Sequence, residues 1–328
     1  MAIEKLPLMN RKHTSLIIAI FLLLPFFTMA QVKSTAAFRL VPLGVWGGID
    51  ESNLSAYMLA ANGTNNYICL DAGTLHYGIK KAIENKAFTA PSETVLRQYI
   101  KGYFISHAHL DHLAGLIINS PDDSTKNIYG LQSTLETLKT HYFTWASWAN
   151  FADQGETPAL KKFHYHVLNP GNETTIEYTD MKVQAFPLSH SNLTSTAFLV
   201  HTNNAYVLYL GDTGPDEIEK SQNLQNLWQA ITPLIKNKQL KAILIEVSFP
   251  NEQPDKTLFG HLTPNWLMVE MNKLAALTGK EELKGLNIVV THLKPPVKNM
   301  TKIKAQLRVQ NKLQLNLIYP EQGKPLTF

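Results

Sequence analysis

Residues 103 to 115 read Tyr-Phe-Ile-Ser-His-Ala-His-Leu-Asp-His-Leu-Ala-Gly, an apolar run followed by a dense cluster of polar side chains. The apolar run is typical of a buried strand. Three histidines and one aspartate then occupy six positions, a density that core packing does not explain. Imidazole nitrogens and carboxylate oxygens bind zinc and neighbouring first-row ions. The segment therefore predicts four metal ligands: His107, His109, Asp111 and His112.

The spacing of these ligands predicts two metal positions. In an extended loop that leaves a strand, His107 and His109 point to one side. Asp111 and His112 then reach a second point close by. The segment is therefore expected to serve two adjacent metal ions.

The motif His-x-His-x-Asp-His resembles the signature of the metallo-β-lactamase superfamily. The longer string from His107 to Pro121 is similar to the narrower signature of the class II 3',5'-cyclic-nucleotide phosphodiesterases, since it also matches at the Gly115 turn. The resemblance implies one mixed α/β (α+β) domain over residues 31 to 328, a four-layer αββα metallo-β-lactamase-like sandwich. It also implies hydrolysis of cyclic AMP, cyclic GMP or both to nucleoside 5'-monophosphates.

Secondary-structure signals agree with such a sandwich. Short strands between Phe38 and Asp71 predict a β-meander with a hairpin turn at Asn62-Gly63. Gly47-Gly48 is predicted as a bend between strands, and Cys69 as a buried strand residue. Beyond Asp71, which is assigned a structural role, predicted helices alternate with strands, which favours helices packed on stacked sheets.

Three further residues complete the predicted ligand set, and each stands at a predicted strand end. His190 follows Phe-Pro-Leu-Ser, Asp212 follows Tyr-Leu-Gly, and His292 follows Ile-Val-Val-Thr. By resemblance, the first metal site comprises His107, His109 and His190, the second comprises Asp111, His112 and His292, and Asp212 bridges the two. A histidine-rich set favours two Zn²⁺ ions, with Mn²⁺ or Fe²⁺ as alternatives.

Two segments resemble the phosphodiesterase branch of the superfamily. Glu246 lies in the apolar strand Ala242 to Phe249, and a buried carboxylate needs a partner. The segment Gly260-His-Leu-Thr-Pro264 supplies one, so Glu246 is expected to orient His261 beside the scissile phosphate. The other interpretation is that Glu246 caps a loop and His261 only begins a helix. Asp111 or His261 would protonate the leaving group.

The stretch from His141 to Phe151 is the most aromatic in the chain. Trp145 and Trp148 are three residues apart and would share one helical face, which predicts packing on the core. The functional alternative is that the stretch stacks on a nucleobase. In that case Trp148 and Asn150 would contact the substrate.

Residues 1 to 30 are predicted to be a secretory signal peptide. Three basic residues precede the apolar run from Leu16 to Phe27, and Thr28-Met-Ala30 offers small residues for cleavage. The run is short for a membrane span, and an uncleaved anchor is the alternative. The protein is therefore expected to be exported, periplasmic or secreted, without stable membrane association after cleavage.

The charge balance limits the choice of partner. Removing residues 1 to 30 takes Lys+Arg from 30 to 27 and Asp+Glu from 26 to 25, so the net charge becomes about +2. This balance argues against nucleic acid as a partner, and thus against an RNA 3'-processing phosphodiesterase. A non-catalytic metal-binding protein is the other alternative, and it is disfavoured because no predicted ligand is missing. A small-molecule cyclic nucleotide is the expected partner, and the sequence leaves the oligomeric state open.

Overall fold

Two seven-stranded sheets form the centre of the fold in the computed structural model, which describes residues 1–4 and 36–328. Most of the predicted signal peptide lies outside the described residues. The first sheet has the order β14-β1-β2-β3-β4-β5-β6. Its strands are β1 Phe38–Gly44, β2 Ala56–Ala61, β3 Tyr67–Leu70, β4 Ile100–Phe104, β5 Lys126–Gly130, β6 Phe163–Val167 and β14 Leu326–Thr327.

The second sheet has the order β13-β12-β11-β10-β9-β8-β7. Its strands are β7 Glu173–Thr175, β8 Lys182–His190, β9 Leu193–Thr202, β10 Ala205–Leu210, β11 Leu240–Glu246, β12 Asn287–Thr291 and β13 Asn316–Ile318. Each sheet joins an antiparallel part to a parallel part. The antiparallel pairs β1·β2 and β2·β3 are the predicted meander, and β3 to β6 then run parallel.

Helices cover the outer faces of both sheets. They are α1 His76–Glu84, α2 Ser92–Thr94, α3 Leu110–Asn119, α4 Gln132–Thr137, α5 Asp216–Glu219, α6 Asn223–Lys236, α7 Pro264–Thr278, α8 Lys280–Leu283 and α9 Val297–Gln310. Two of them continue into wider π turns, α2 through Val95–Tyr99 and α4 through Leu138–Tyr142. Among the described residues, no helix is both long and apolar enough to span a membrane.

Three apolar clusters hold the layers together. One lies between the sheets, where Phe104 of β4 stacks on Tyr129 with ring centroids 4.4 Å apart and meets Phe198 of β9 edge-on at 5.6 Å. A second packs α1, α3 and α4 on the first sheet, and a third packs α6, α7 and α9 on the second. Strands buried on both faces need continuous apolar runs, as the sequence shows. The predicted four-layer αββα sandwich is confirmed.

The aromatic stretch departs from its predicted helix. The helical turns end at Tyr142, and Trp145 adopts a left-handed backbone conformation with φ of 51°. Trp145 and Trp148 are both exposed, so they form no helical stripe on the core. The prediction was wrong because three-residue spacing also occurs in irregular loops.

Candidate metal centre

The strand directions bring three of the predicted ligands, His190, Asp212 and His292, to one edge of the second sheet. Strands β10, β11 and β12 run parallel, so their carboxyl ends meet at the same edge. Asp212 and His292 follow β10 and β12 closely, and Glu246 is the last residue of β11. His190 ends β8, which runs in the direction of β10 because β9 is antiparallel to both.

The first predicted ligand set comes together as expected from the sequence. Nε2 of His107 lies 3.0 Å from Nδ1 of His109, and Nε2 of His190 lies 3.3 Å from the same atom. His107 and His190 are buried, and His109 is exposed. The three side chains each offer one ring nitrogen within the reach of a single ion.

The second predicted set forms beside the first. Nε2 of His292 lies 3.2 Å from both Nε2 of His112 and Oδ2 of Asp111. Oδ2 of Asp212 lies 3.3 Å from the Nε2 atoms of His112 and His292, and 3.9 Å from those of His107 and His190. One carboxylate oxygen thus borders both sets, which is the place of a bridging ligand.

The motif segment is only partly an extended loop. Helix α3 begins at Leu110, so Asp111 and His112 stand in its first turn. The backbone N–H of His112 donates to the carbonyl of His109 at 3.0 Å. The predicted loop was wrong at these two positions because the buried positions 113, 116 and 117 already follow the spacing of an amphipathic helix.

Hydrogen bonds from the second ring nitrogen orient four of the histidines. Nδ1 of each ring has a partner outside the ligand set, which turns Nε2 toward the centre. The pairs are His107 with Ser106 Oγ at 3.0 Å, His112 with Asp71 Oδ2 at 2.7 Å, His190 with the Gly260 carbonyl at 2.8 Å, and His292 with Ser248 Oγ at 2.9 Å.

Asp71 supports the centre through hydrogen bonds, in agreement with its predicted structural role. It is fully buried at the end of β3. Its carboxylate accepts hydrogen bonds from the backbone N–H and hydroxyl of Ser106, from the Tyr209 hydroxyl and from the ring of His112. It therefore ties the start of the ligand segment to both sheets.

Electrostatics suit the centre to a divalent cation. Burial lowers the pKa of His107 well below its ordinary value and that of His190 to about 4, so both rings are neutral and able to bind metal at pH 7. Burial opposes the charge on Asp212, but His292 and His112 hold its pKa well below the usual range. An ionised carboxylate beside converging ring nitrogens could hold a cation, and His/Asp sets of this kind are typical of divalent metal sites.

Glu246 and His261 form the predicted hydrogen-bonded pair beside the candidate metal centre. Oε1 of Glu246 lies 2.7 Å from Nδ1 of His261, and both side chains are buried. Burial would raise the pKa of Glu246, but the charge of His261 and its hydrogen bond hold that pKa below its ordinary value. The His261 ring lies 4.8 Å from the ring of His190 and 5.3 Å from that of His292, so it borders both ligand sets.

Sequence analysis did not predict three contacts at the candidate metal centre. The ammonium of Lys294 lies 2.8 Å from Nε2 of His261. The hydroxyl of Tyr142 donates to the Ala108 carbonyl at 2.8 Å, between the first two histidines. The backbone N–H of Gly48 donates to Asp111 at 2.9 Å. The position of Lys294, two residues after a predicted ligand, was the only available signal.

Within residues 36–328, the hydrogen bonds of Trp148 and Asn150 are made to residues outside the ligand sets. The indole N–H of Trp148 donates to Ser120 at 3.0 Å, at the far end of α3 from the metal motif. A ten-residue helix separates these two points by about 15 Å. The Asn150 side chain is fully buried and bonds to the backbone of its own loop at Ala152, Gln154 and Glu156. The geometry gives no support to either residue as a base contact.

The sandwich and the ligand cluster at its edge define a metallo-β-lactamase fold protein. A protein of this fold from Bacillus subtilis aligns with a TM-score of 0.59 at 16% identity, covering 89% of this chain and 99% of that chain. The structure of unliganded yeast PDE1 aligns with a TM-score of 0.79 at 23% identity, covering 89% of this chain and 100% of that chain. These likenesses show the fold.

Sequence comparison identifies the family. The model of the class-II cAMP phosphodiesterases matches residues 38–323. A 3',5'-cyclic-nucleotide phosphodiesterase of Aliivibrio fischeri is 45% identical over 321 residues, which cover 92% of this chain and 97% of that protein. The chain belongs to the class-II cAMP phosphodiesterase family. The assignment made from the segment His107 to Pro121 is confirmed.

Proposed function

We propose that this protein hydrolyses cyclic AMP, cyclic GMP or both to nucleoside 5'-monophosphates at a centre of two divalent cations. The observation that carries the proposal is the position of Asp212, whose Oδ2 borders both ligand sets at 3.3 to 3.9 Å. Family membership supports the substrate class, because relatives that cover most of the chain are named cyclic-nucleotide phosphodiesterases. Zn²⁺ is the proposed ion, with Mn²⁺ or Fe²⁺ as alternatives.

Seven side chains would hold the cations: His107, His109 and His190 in one set, Asp111, His112 and His292 in the other, and Asp212 between them. Bound divalent cations would supply Lewis acidity to the phosphodiester and lower the pKa of a water molecule. The chain contributes the fixed geometry. Oriented rings and buried carboxylates do not have to reorganise when charge builds on the phosphate.

His261 and Lys294 would act on the phosphodiester next to the cations. The ammonium of Lys294 carries protons that can pair with a nonbridging phosphate oxygen, and it already lies at Nε2 of His261. Cleavage of the P–O3' bond leaves an alkoxide that must take up a proton. Asp111 and His261 are the proposed donors, and Glu246 fixes the orientation of His261.

We also propose, as a separate point, that the protein is exported. Its support is the order of basic, apolar and small residues within positions 1 to 30. Cell fractionation with N-terminal sequencing tests it: a periplasmic or secreted protein that starts near Gln31 is expected. A full-length protein that begins at Met1 and stays in the cytoplasm would contradict export without affecting the proposed chemistry.

Product chromatography tests the proposed activity. Metal-loaded protein is incubated separately with cyclic AMP, cyclic GMP and an RNA that has a 3' extension. We expect 5'-AMP or 5'-GMP, and an activity loss in His109→Ala larger than the roughly 10–100-fold typical of residues that only support a ligand. Cleavage of the RNA without turnover of either cyclic nucleotide would refute the proposal and leave the RNA-processing alternative.

A further inference from the structure

A cavity of about 250 Å³ lies beside the first ligand set. His107 and His109 form one side of it. The other walls come from helix α4 and the start of β9, through Ser133, Thr137, Leu193 and Thr194. The cavity therefore adjoins the place where the phosphate would bind, and its far walls belong to residues that the proposed chemistry does not use.

The walls carry hydroxyl groups that are available for a ligand. Ser133 and Thr194 are exposed, and among residues 36–328 neither side-chain hydroxyl has a hydrogen-bond partner. Thr137 donates to the Ser133 carbonyl at 3.0 Å, so its oxygen can still accept. Leu193 adds an apolar wall.

The cavity wall offers no fixed charge. Its lining contains no aspartate, glutamate, lysine or arginine. Charged groups at the centre, among them Asp111, Asp212, Glu246 and Lys294, do not line it. A neutral ligand part with polar edges fits these walls better than a phosphate does.

We infer that this cavity binds the nucleoside part of the cyclic nucleotide while the phosphate lies at the metal centre. The inference rests on the proposed function. The volume is below the roughly 300–1,000 Å³ of pockets that enclose a drug-sized ligand, so the cavity fits one part of a ligand rather than a whole one.

The hydroxyl groups also bear on specificity. A hydroxyl rotates and both donates and accepts hydrogen bonds, whereas the Watson–Crick edges of adenine and guanine differ in which positions donate. Walls built from Ser133, Thr137 and Thr194 can therefore serve either base. The cavity predicts similar KM values, within about tenfold, for cyclic AMP and cyclic GMP.

Filling the cavity tests the inference. Thr194→Trp places a large ring at an exposed position of the wall, and Thr175→Trp makes the same change at an exposed position of β7, outside the cavity lining. We expect Thr194→Trp to raise KM for both cyclic nucleotides and the inhibition constant of 5'-AMP by about tenfold or more. The inhibition constant of inorganic phosphate, which lacks a nucleoside, should stay within about twofold, and Thr175→Trp should behave as wild type.

A milder double variant separates binding from folding. The double substitution Ser133→Ala and Thr194→Val removes two hydroxyls with little change of volume, and KM should rise roughly three- to tenfold at nearly constant kcat. Unchanged KM in both this variant and Thr194→Trp would overturn the inference, as would equal losses of affinity for 5'-AMP and phosphate. If the wild type turns over neither cyclic nucleotide, the proposed function itself has failed; if it does and the variants match it, only the cavity assignment has failed.

Discussion

The ammonium of Lys294 lies 2.8 Å from Nε2 of His261. On the other side of the ring, Nδ1 of His261 lies 2.7 Å from Oε1 of Glu246. The lysine also lies over the Phe249 ring, 5.2 Å from its centroid. The His261 ring is therefore held between a carboxylate and a lysine, beside both predicted ligand sets.

Replacing Lys294 tests the role of that cation. Lys294→Met keeps the aliphatic stem and removes the proposed charge-assisted hydrogen bond to phosphate; such a bond is worth about 1.5–3 kcal/mol. We expect kcat/KM for cyclic AMP to fall roughly 10–100-fold. Lys298→Met, at an exposed lysine four residues further on, is the control and should leave kcat/KM unchanged. Equal activity of the two variants would exclude Lys294 from the reaction.

Asp71 should control metal affinity through His112. In Asp71→Asn, the carboxylate that accepts from the ring of His112 and the Tyr209 hydroxyl is lost, and zinc affinity should fall about 10–100-fold. The control is Asp123→Asn, which also disrupts a buried carboxylate, one held by Tyr103 and Lys126. Both variants should lower the melting temperature. A competition titration with a zinc chelator should find weakened binding in Asp71→Asn alone, and the same loss in both would contradict the assigned role.

Gly47 leaves room for the ring of His292, a proposed metal ligand. A Cβ added at this position would lie 2.2 Å from Cε1 of the His292 ring, closer than atoms can approach. Gly47→Ala should therefore displace His292 and lower both metal content and activity at least about tenfold. Gly63→Ala is the control: its added Cβ meets no neighbouring atom, but its φ of 86° strains the backbone, so it tests whether strain alone lowers metal content. Metal content at the wild-type level in Gly47→Ala would show that the ring can move without loss.

Cys69 should report on unfolding of the first sheet. Its side chain is fully buried in β3, and burial raises the pKa of the thiol. A thiol reagent at pH 8 should react with the native protein at least about a thousandfold more slowly than with protein in guanidinium chloride. A cysteine placed on the surface by Thr175→Cys should react at once. Rapid labelling of native Cys69 would mean that β3 opens far more readily than the packing predicts.

The convergence of the proposed metal ligands was predictable because their signals are local. The motif from His107 to His112 follows an apolar strand, and His190, Asp212 and His292 each follow another. Strand ends in parallel sheets meet at one edge, so ligands far apart in the chain are expected to converge there. The four-layer fold follows from the same alternation of elements.

The other features of the site depend on long-range packing, which the spacing of residues in the sequence does not reveal. The contact of Lys294 with His261 joins two loops 33 residues apart. Considered from its place in the sequence alone, Lys294 resembles a solvated lysine. Ser133 lies on helix α4, which packs on the first sheet, whereas Thr194 lies on β9 of the second sheet, and isolated hydroxyl residues carry no sequence pattern. The loop conformation of Trp145 and Trp148 likewise follows from a left-handed backbone turn that three-residue spacing cannot predict.

A zinc titration followed by cyclic AMP turnover tests the two-cation account most directly. The protein is stripped with a chelator, checked for metal content, and assayed for 5'-AMP formation at each addition of Zn²⁺. The account predicts no turnover without metal and full turnover after two equivalents bind, with no recovery in Asp212→Asn, because Asp212 borders both ligand sets. Undiminished turnover by the metal-free protein, or full turnover at one equivalent with Asp212→Asn as active as wild type, would contradict it.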